Sequence, residues 1–424
     1  MIFRFEETAH VKKEEIESQS TLLQEYNEKL NKVAQLNNYL YDESSLNLPF
    51  DEIIVEKVLK LREKYATPKL KYVLDIGIGG SNLGTKAVYD ALYGYYDIVE
   101  PHRFPKMIFA DTNDPEFIYK LYSFLKNQIT DPEELVINAI SKSGKTTETI
   151  ANLEIITSGI DYTRDRLVIT TSYNSDLWKI AKSLKIDCLP IPNKVGGRFS
   201  TFSSVGLFPL CCVGVNIPEL LRGAMETRKF GLNRNVFKNP SMVSAIIQFS
   251  NYTKGKLINN NFFFESELES LGKWYVQLMG ESVGKDGKGI TPTVSIGSTD
   301  LHSMGQLYLG GIKDKYFTFV SSKTHGKNIS IPKNPTIEIM EEVEEKSAAE
   351  IMSAILKGVK ITFAKNNLPF TEIVLDDITE YSLGEFMQFK MLEMMYLGKL
   401  MGVNTFDQPN VESYKEETKK ILSQ

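Results

Sequence analysis

Tyr72-Val-Leu-Asp75-Ile76-Gly77-Ile78-Gly79-Gly80-Ser81-Asn82-Leu83-Gly84 is an apolar run that stops at a cluster of glycines and gives way to a helical pattern, Ser81–Tyr93. The same grammar recurs downstream. Apolar, β-branched-rich runs at Met107–Ala110, Leu135–Ile140, Leu167–Thr171 and Cys188–Ile191 alternate with helical stretches at Pro115–Leu125, Thr146–Ile160 and Ser175–Leu184. Strands that alternate with helices predict a parallel sheet, and near-continuous apolar strands predict that both its faces are covered. The expected fold is therefore α/β, with a doubly wound, mainly parallel sheet flanked by helices.

The second half repeats the pattern less cleanly. Helices are expected at Pro240–Tyr252, Leu268–Gly280 and Leu383–Leu400, and strands at Phe262–Phe264, Tyr316–Val320 and Glu372–Leu375. The two α/β halves read as distant structural duplicates. Leu23, Tyr26, Leu30, Val33, Leu36 and Leu40 recur at three- and four-residue intervals, the stripe of one amphipathic helix that docks on a domain. Ile329–Ser347, rich in Pro, Lys and Glu, reads as a surface loop. The expected division is an N-terminal helical extension (1–50), a first domain (51–215), a second domain (216–400) and a C-terminal loop and helix (401–424).

At 424 residues the chain is too long for a single ordinary core. Its net charge of -5 argues against a nucleic-acid partner, whose backbone calls for a basic excess. Cys188, Cys211 and Cys212 do not form a disulfide framework, and two of them are adjacent in an apolar run, as buried thiols of a reducing compartment would be. The most apolar stretch, Val205–Val215, is interrupted by Pro209 and is too short to span a membrane. With no signal-peptide core at the N-terminus, the expectation is a cytoplasmic protein without membrane or nucleic-acid partners.

Four stretches carry residues suited to chemistry. In the first glycine cluster, Gly77 and Gly79 have dinucleotide-fingerprint spacing, but the third glycine position is Asn82. The second, Ser141-Lys142-Ser143-Gly144-Lys145-Thr146-Thr147-Glu148-Thr149, imitates a nucleotide P-loop, yet Ala139 stands where its leading glycine belongs. What remains is a crowd of hydroxyls and amides at a helix start, where the dipole favours a dianion. One hydroxyl caps a helix; this many suggest a phosphate cradle. The third, Asn193–Thr201, pairs Gly196-Gly197 with Arg198, a permanently charged fork fit to meet an oxyanion. The fourth combines Gly280-Glu281-Ser282-Val283-Gly284-Lys285 with Asp300-Leu301-His302-Ser303. His302 is one of four histidines (with His10, His102 and His325) and a candidate acid or base beside Asp300. No His/Cys/Asp spacing suggests a metal site. Gly402–Lys415 reads by itself as a loop entering a charged helix.

Together these segments, from about residue 70 to 415, closely resemble glucose-6-phosphate isomerases (phosphoglucose isomerases), and the length resembles their compact bacterial members. The hallmark matches are Asn193–Gly206 and Gly402–Lys415, with Asp75–Ser81 and Ser141–Thr149 similar to the phosphate-binding elements. The resemblance implies two sugar-isomerase (SIS) domains and a homodimer with sites at the subunit interface. It also implies metal-free, cofactor-free interconversion of glucose 6-phosphate and fructose 6-phosphate, in glycolysis and gluconeogenesis. By that resemblance Gly79, Gly80, Ser81, Ser141, Lys142, Ser143 and Thr146 hold the phosphate, and Gln408 lines the pocket. Glu281 is the base that moves a proton between C1 and C2. His302, supplied across the interface, opens the ring with Lys415, and Arg198 stabilises the cis-enediolate. One departure is Ser141-Lys142-Ser143 where many relatives carry Ser-Lys-Thr; the hydroxyl is kept. Two other readings are a sugar-phosphate sensor on the same domains, which would have no use for Glu281, His302 and Lys415 together, and an isomerase that also accepts mannose 6-phosphate.

Overall fold

A computed structural model describes residues 1–324, 326–337 and 341–424, without the side chain of Glu341. His325 and part of the expected 329–347 loop lie outside the described residues. The strands in chain order are β1 (Ile2–Arg4), β2 (Tyr72–Ile76), β3 (Lys106–Ala110), β4 (Leu135–Ile140), β5 (Leu167–Ser172), β6 (Asp187–Ile191), β7 (Ile258–Phe263), β8 (Thr291–Ile296), β9 (Lys315–Ser322) and β10 (Phe370–Leu375). They form two five-stranded sheets, ordered β3-β2-β4-β5-β6 and β8-β7-β9-β10-β1.

The first sheet is parallel throughout, as the alternation of strands and helices requires. Its faces separate by residue parity. Val73, Val136, Val168 and Leu189 enter the main core with helices Leu83–Leu92 and Ser204–Cys212. Leu74, Ile76, Ile137, Ala139 and Ile169 pack instead with Leu121, Leu153 and Leu177 from helices on the other side. The Val205–Val215 run is thus a buried helix with Pro209 inside it, and Cys211 and Cys212 are buried, free thiols. Among the described residues no helix is long and apolar enough to cross a membrane.

The second sheet repeats the strand order of the first in its four parallel strands, and the structure departs from the sequence reading at three points. Its outer strand is β1, antiparallel to β10 through Phe3↔Ile373, so the N-terminus supplies a strand before any helix. The single expected helix is two, Lys13–Thr21 and Gln24–Leu36, and Leu40 lies outside the stripe, 73% exposed. The strand expected at Phe262–Phe264 begins at Ile258 and includes three buried asparagines, Asn259–Asn261. Asn260 Nδ2 donates to Thr293 Oγ1, Ser295 Oγ and Tyr308 OH, partners that only the folded chain supplies. Helix Ala348–Lys365 follows the 329–347 segment and covers an aromatic cluster of Phe262, Phe317, Phe319 and Phe363.

The sheets meet along helix Leu83–Leu92, which follows β2, and helix Glu269–Val283, which follows β7. Each helix starts at the carboxyl end of its strand. This seam brings the first glycine turn beside the helix that carries Glu281.

Candidate active site

In a doubly wound sheet, ligands collect outside the carboxyl ends of the strands where the order reverses. In the first sheet that point lies between β2 and β4, whose following turns are Gly77–Ser81 and Ser141–Thr146. A cavity of about 850 Å³ opens there. Gly79, Gly80, Ser81, Lys142, Ser143, Thr146, Arg198, Glu281, Gln408 and Lys415 all line it.

Helix Thr147–Gly159 begins at the cavity. Thr146 is its N-cap residue but makes no capping bond; its hydroxyl lies 2.9 Å from Ser141 Oγ instead. The first-turn amides are therefore left for a ligand, where most other helices of this size use an Asp, Asn, Ser or Thr cap. Gly144, at φ +70, makes the turn possible, and a β-carbon there would stand 2.8 Å from that of Leu177. Ser141 itself is fully buried and does not line the cavity. Its hydroxyl supports the turn through Thr146.

The electrostatics suit an anion. Among the lining residues are five cations, Lys142, Lys145, Arg198, Lys415 and Lys419, against three carboxylates, Glu148, Glu281 and Glu412. Lys145 pairs with Asp176 at 2.8 Å and Lys415 with Glu412 at 2.7 Å. Half-buried Lys142 has no ion-pair partner among the described residues; burial, then the charge of Lys194, pulls its pKa down. A bound phosphate would relieve that strain. An acidic chain thus presents a locally positive pocket.

Arg198 anchors the other side. It is 1% exposed, and each of its five N–H groups has an acceptor. Nε donates to Ser282 Oγ (2.9 Å), Nη1 to Gln408 Oε1 (2.7 Å) and Glu281 Oε2 (3.2 Å), and Nη2 to the carbonyls of Thr405 (2.5 Å) and Asp407 (3.1 Å). Burial lowers its pKa, and Glu281 partly offsets this. Glu281, 29% exposed, also accepts from Gln277 Nε2 at 3.0 Å, so each carboxylate oxygen is held while the group faces the cavity. A carboxylate fixed in this way can take and return a proton, and a buried guanidinium beside it offsets negative charge developing nearby.

His302 is not brought to this cavity. It is exposed, at the end of the Thr299–Leu301 turn after β8, and its imidazole has no hydrogen-bond partner among the described residues. Asp300 is not its partner: that carboxylate accepts from the Ile296 amide (2.7 Å) and Ser303 Oγ (2.8 Å). The second sheet's reversal point is also occupied differently. Glu265 Oε1 accepts both the amide and the hydroxyl of Ser322 at 2.9 Å, so a carboxylate already fills the place where the first sheet leaves donors open.

Several lining residues carried no signal in the sequence, among them Gln277, Tyr173, Asn174 and Glu412. Gln277 lies one helical turn before Glu281, the spacing from which its contact could have been inferred. Among the described residues no three His, Cys, Asp or Glu side chains gather as metal ligands would.

A family model described as phosphoglucose isomerase matches residues 55–307. A glucose-6-phosphate isomerase of Methanocaldococcus jannaschii is 35% identical over 355 residues, covering 83% of this chain and 84% of that one. A hypothetical protein from Thermus thermophilus has a solved structure that is similar at a TM-score of 0.86 and 28% identity, over 97% of each chain. A glucose-6-phosphate isomerase structure from Chlamydia trachomatis, at 21% identity, shares the fold with a TM-score of 0.79 over 96% of this chain and 86% of that one. With the family model spanning more than half of its length, the chain belongs to the phosphoglucose isomerase family.

Proposed function

We propose that this chain interconverts glucose 6-phosphate and fructose 6-phosphate by metal-free proton transfer through a cis-enediolate, working as a cytoplasmic homodimer. The observation that carries the reading is Glu281: its carboxylate, held by Arg198 and Gln277, faces the same cavity as the uncapped start of helix Thr147–Gly159. The phosphate docks on that helix start, with Gly79, Gly80, Ser81, Ser141, Lys142, Ser143 and Thr146 around it, and the sugar extends toward Glu281.

In this mechanism Glu281 removes the proton from C2 of the open-chain aldose and returns it to C1. The C2 proton is acidic only because the C1 carbonyl accepts the electron pair, so the developing oxyanion must be met by positive charge. Arg198 supplies it. Because all its donors are engaged, its charge acts from a fixed position and needs no reorganisation during the reaction. Gln408 lines the pocket beside it.

Ring opening is assigned to Lys415 and His302. His302 is exposed on its own chain and absent from the cavity lining, which supports its delivery into the cavity of a second copy. Residues 51–215 and 216–400 are read as the two sugar-isomerase domains, with 1–50 and 401–424 as extensions. The two matching strand orders support that division.

The test is a coupled assay with fructose 6-phosphate, with and without chelator, on the wild-type protein and Glu281→Gln. The variant should lose at least ~10²–10⁴-fold in kcat, the usual worth of a general base, and still bind the sugar phosphate. Undiminished turnover would remove Glu281 from the mechanism; activity lost on chelation would contradict the metal-free step.

A further inference from the structure

We infer that Lys285 is a positioning residue for the isomerisation. It clamps the loop that carries Gln408 and leads to Lys415 onto the end of the helix that carries Glu281. The inference rests on the function proposed above.

Lys285 lies just beyond helix Glu269–Val283 and is 7% exposed. Its ammonium donates to the carbonyls of Asn404 and Asp407 (the latter at 2.6 Å) and to Asp407 Oδ1 at 2.7 Å. An ammonium has three protons, so this set uses all of them. The Asp407 carbonyl is shared, since Arg198 Nη2 also donates to it at 3.1 Å. Two buried cations thus draw the carbonyls of residues 404–407 inward. Lys285 holds the loop from the Glu281 side, and Arg198 holds it from the glycine-turn side.

The placement matters because Gln408 and the helix that carries Lys415 follow this loop. Gln408 follows Asp407 directly, and its side chain meets Arg198 at 2.7 Å. Beyond it, helix Glu412–Leu422 has no buried residue, so the direction in which it presents Lys415 depends on the loop before it. Burial lowers the Lys285 pKa, and Asp407 counters the effect. Lys288, three residues on, makes a single contact of this kind, to the Met401 carbonyl at 2.8 Å, which makes it a natural control.

The experiment replaces Lys285 with Met, which keeps the aliphatic stem and removes the charge, and compares it with Lys288→Met. Steady-state kinetics with fructose 6-phosphate are read together with hydrogen exchange of the backbone. For Lys285→Met, kcat should fall by about 10²-fold, the scale of a catalytic group displaced by about 1 Å. KM should change less than about threefold, because the Ser141–Thr149 turn is untouched. Exchange should quicken in residues 402–408 and remain unchanged in residues 141–149. Lys288→Met should behave as wild type.

Turnover within twofold of wild type for Lys285→Met would overturn the inference. So would a general rise in exchange across both segments, which would mark a merely structural residue. If Lys285→Met does not fold, Asp407→Asn, which keeps the carbonyls and weakens the charge pair together with the Asn404 Nδ2 contact to Asp407 Oδ2, should lower kcat several-fold with unchanged KM; wild-type behaviour there would also overturn it. Should the wild-type protein itself fail to isomerise sugar phosphates, the proposed function fails, and the exchange pattern still decides whether Lys285 clamps the loop.

Discussion

Gly80→Ala is the substitution whose effect can be worked most directly from the structure. A β-carbon at residue 80 would lie 2.2 Å from the carbonyl carbon of Gly197 and 2.5 Å from the Arg198 amide nitrogen. These are backbone atoms, so no rotamer change relieves the clash. Ordinary contact begins near 3.4 Å, and the two turns must therefore separate by about 1 Å. One turn carries Ser81 of the phosphate site; the other carries Arg198, whose guanidinium holds Glu281 and Gln408. The separation moves the phosphate anchor away from the proton-transfer group. Displacements of this size cost roughly 10²-fold in rate, and the overpacking costs about 1–3 kcal/mol in stability. The assay is kcat/KM with fructose 6-phosphate alongside thermal unfolding. A fall of about 10²-fold with a folded protein is expected. Activity within twofold of wild type would refute the idea that the closeness of these turns sets the catalytic geometry.

Arg198→Lys should lower kcat by about 10²–10³-fold, since an ammonium has too few protons for the five acceptors that Arg198 serves; the check is steady-state kinetics on variant that still folds. Mixing Glu281→Gln with His302→Ala, each inactive alone, should restore up to about a quarter of wild-type activity if His302 works in a second copy's site, because random pairing rebuilds one intact site in half of the dimers. No recovery after mixing and re-association would place His302 elsewhere. Asp376 is held down at about 2 by hydrogen bonds from Lys323 and the Met1 ammonium, against 3.8 ordinarily. Its folded-state pKa is depressed, so its contribution to stability is present above about pH 4 and lost as the pH falls toward 2. Asp376→Asn should lower the melting temperature at pH 7 and flatten its acid dependence in that window, measured by thermal unfolding across pH.

The first sheet was legible because its strands are buried on both faces and read as near-continuous apolar runs. The second was harder. Asn259–Asn261 sit in a central strand that propensity argues against, and the Asn260 side-chain N–H groups find their acceptors on residues distant in the sequence. β1 has three residues, too few for any period, and takes its place through pairing with β10, more than three hundred and sixty residues away. β8 begins Thr291-Pro292, a signal that reads as a turn. At the site, the hydroxyl-rich turn could be singled out by residue type, whereas Arg198 taken alone reads as a surface ion pair. The sequence could not tell that Ser141 faces inward, that Asp300 turns from His302 to the Ile296 amide, or that Lys285 reaches the 404–407 loop. Each of these depends on side-chain direction set by packing, which spacing does not encode.

The central claim is that the cavity moves a proton between C1 and C2 through Glu281. Conversion of fructose 6-phosphate in heavy water, followed by NMR, tests it directly. The prediction is that glucose 6-phosphate forms with deuterium at C2 in part of the product, because a carboxylate that has taken a proton can exchange it with solvent before returning it, and that Glu281→Gln forms it at least ~10²-fold more slowly. No conversion by the wild-type protein, or undiminished conversion by the variant, would contradict the account.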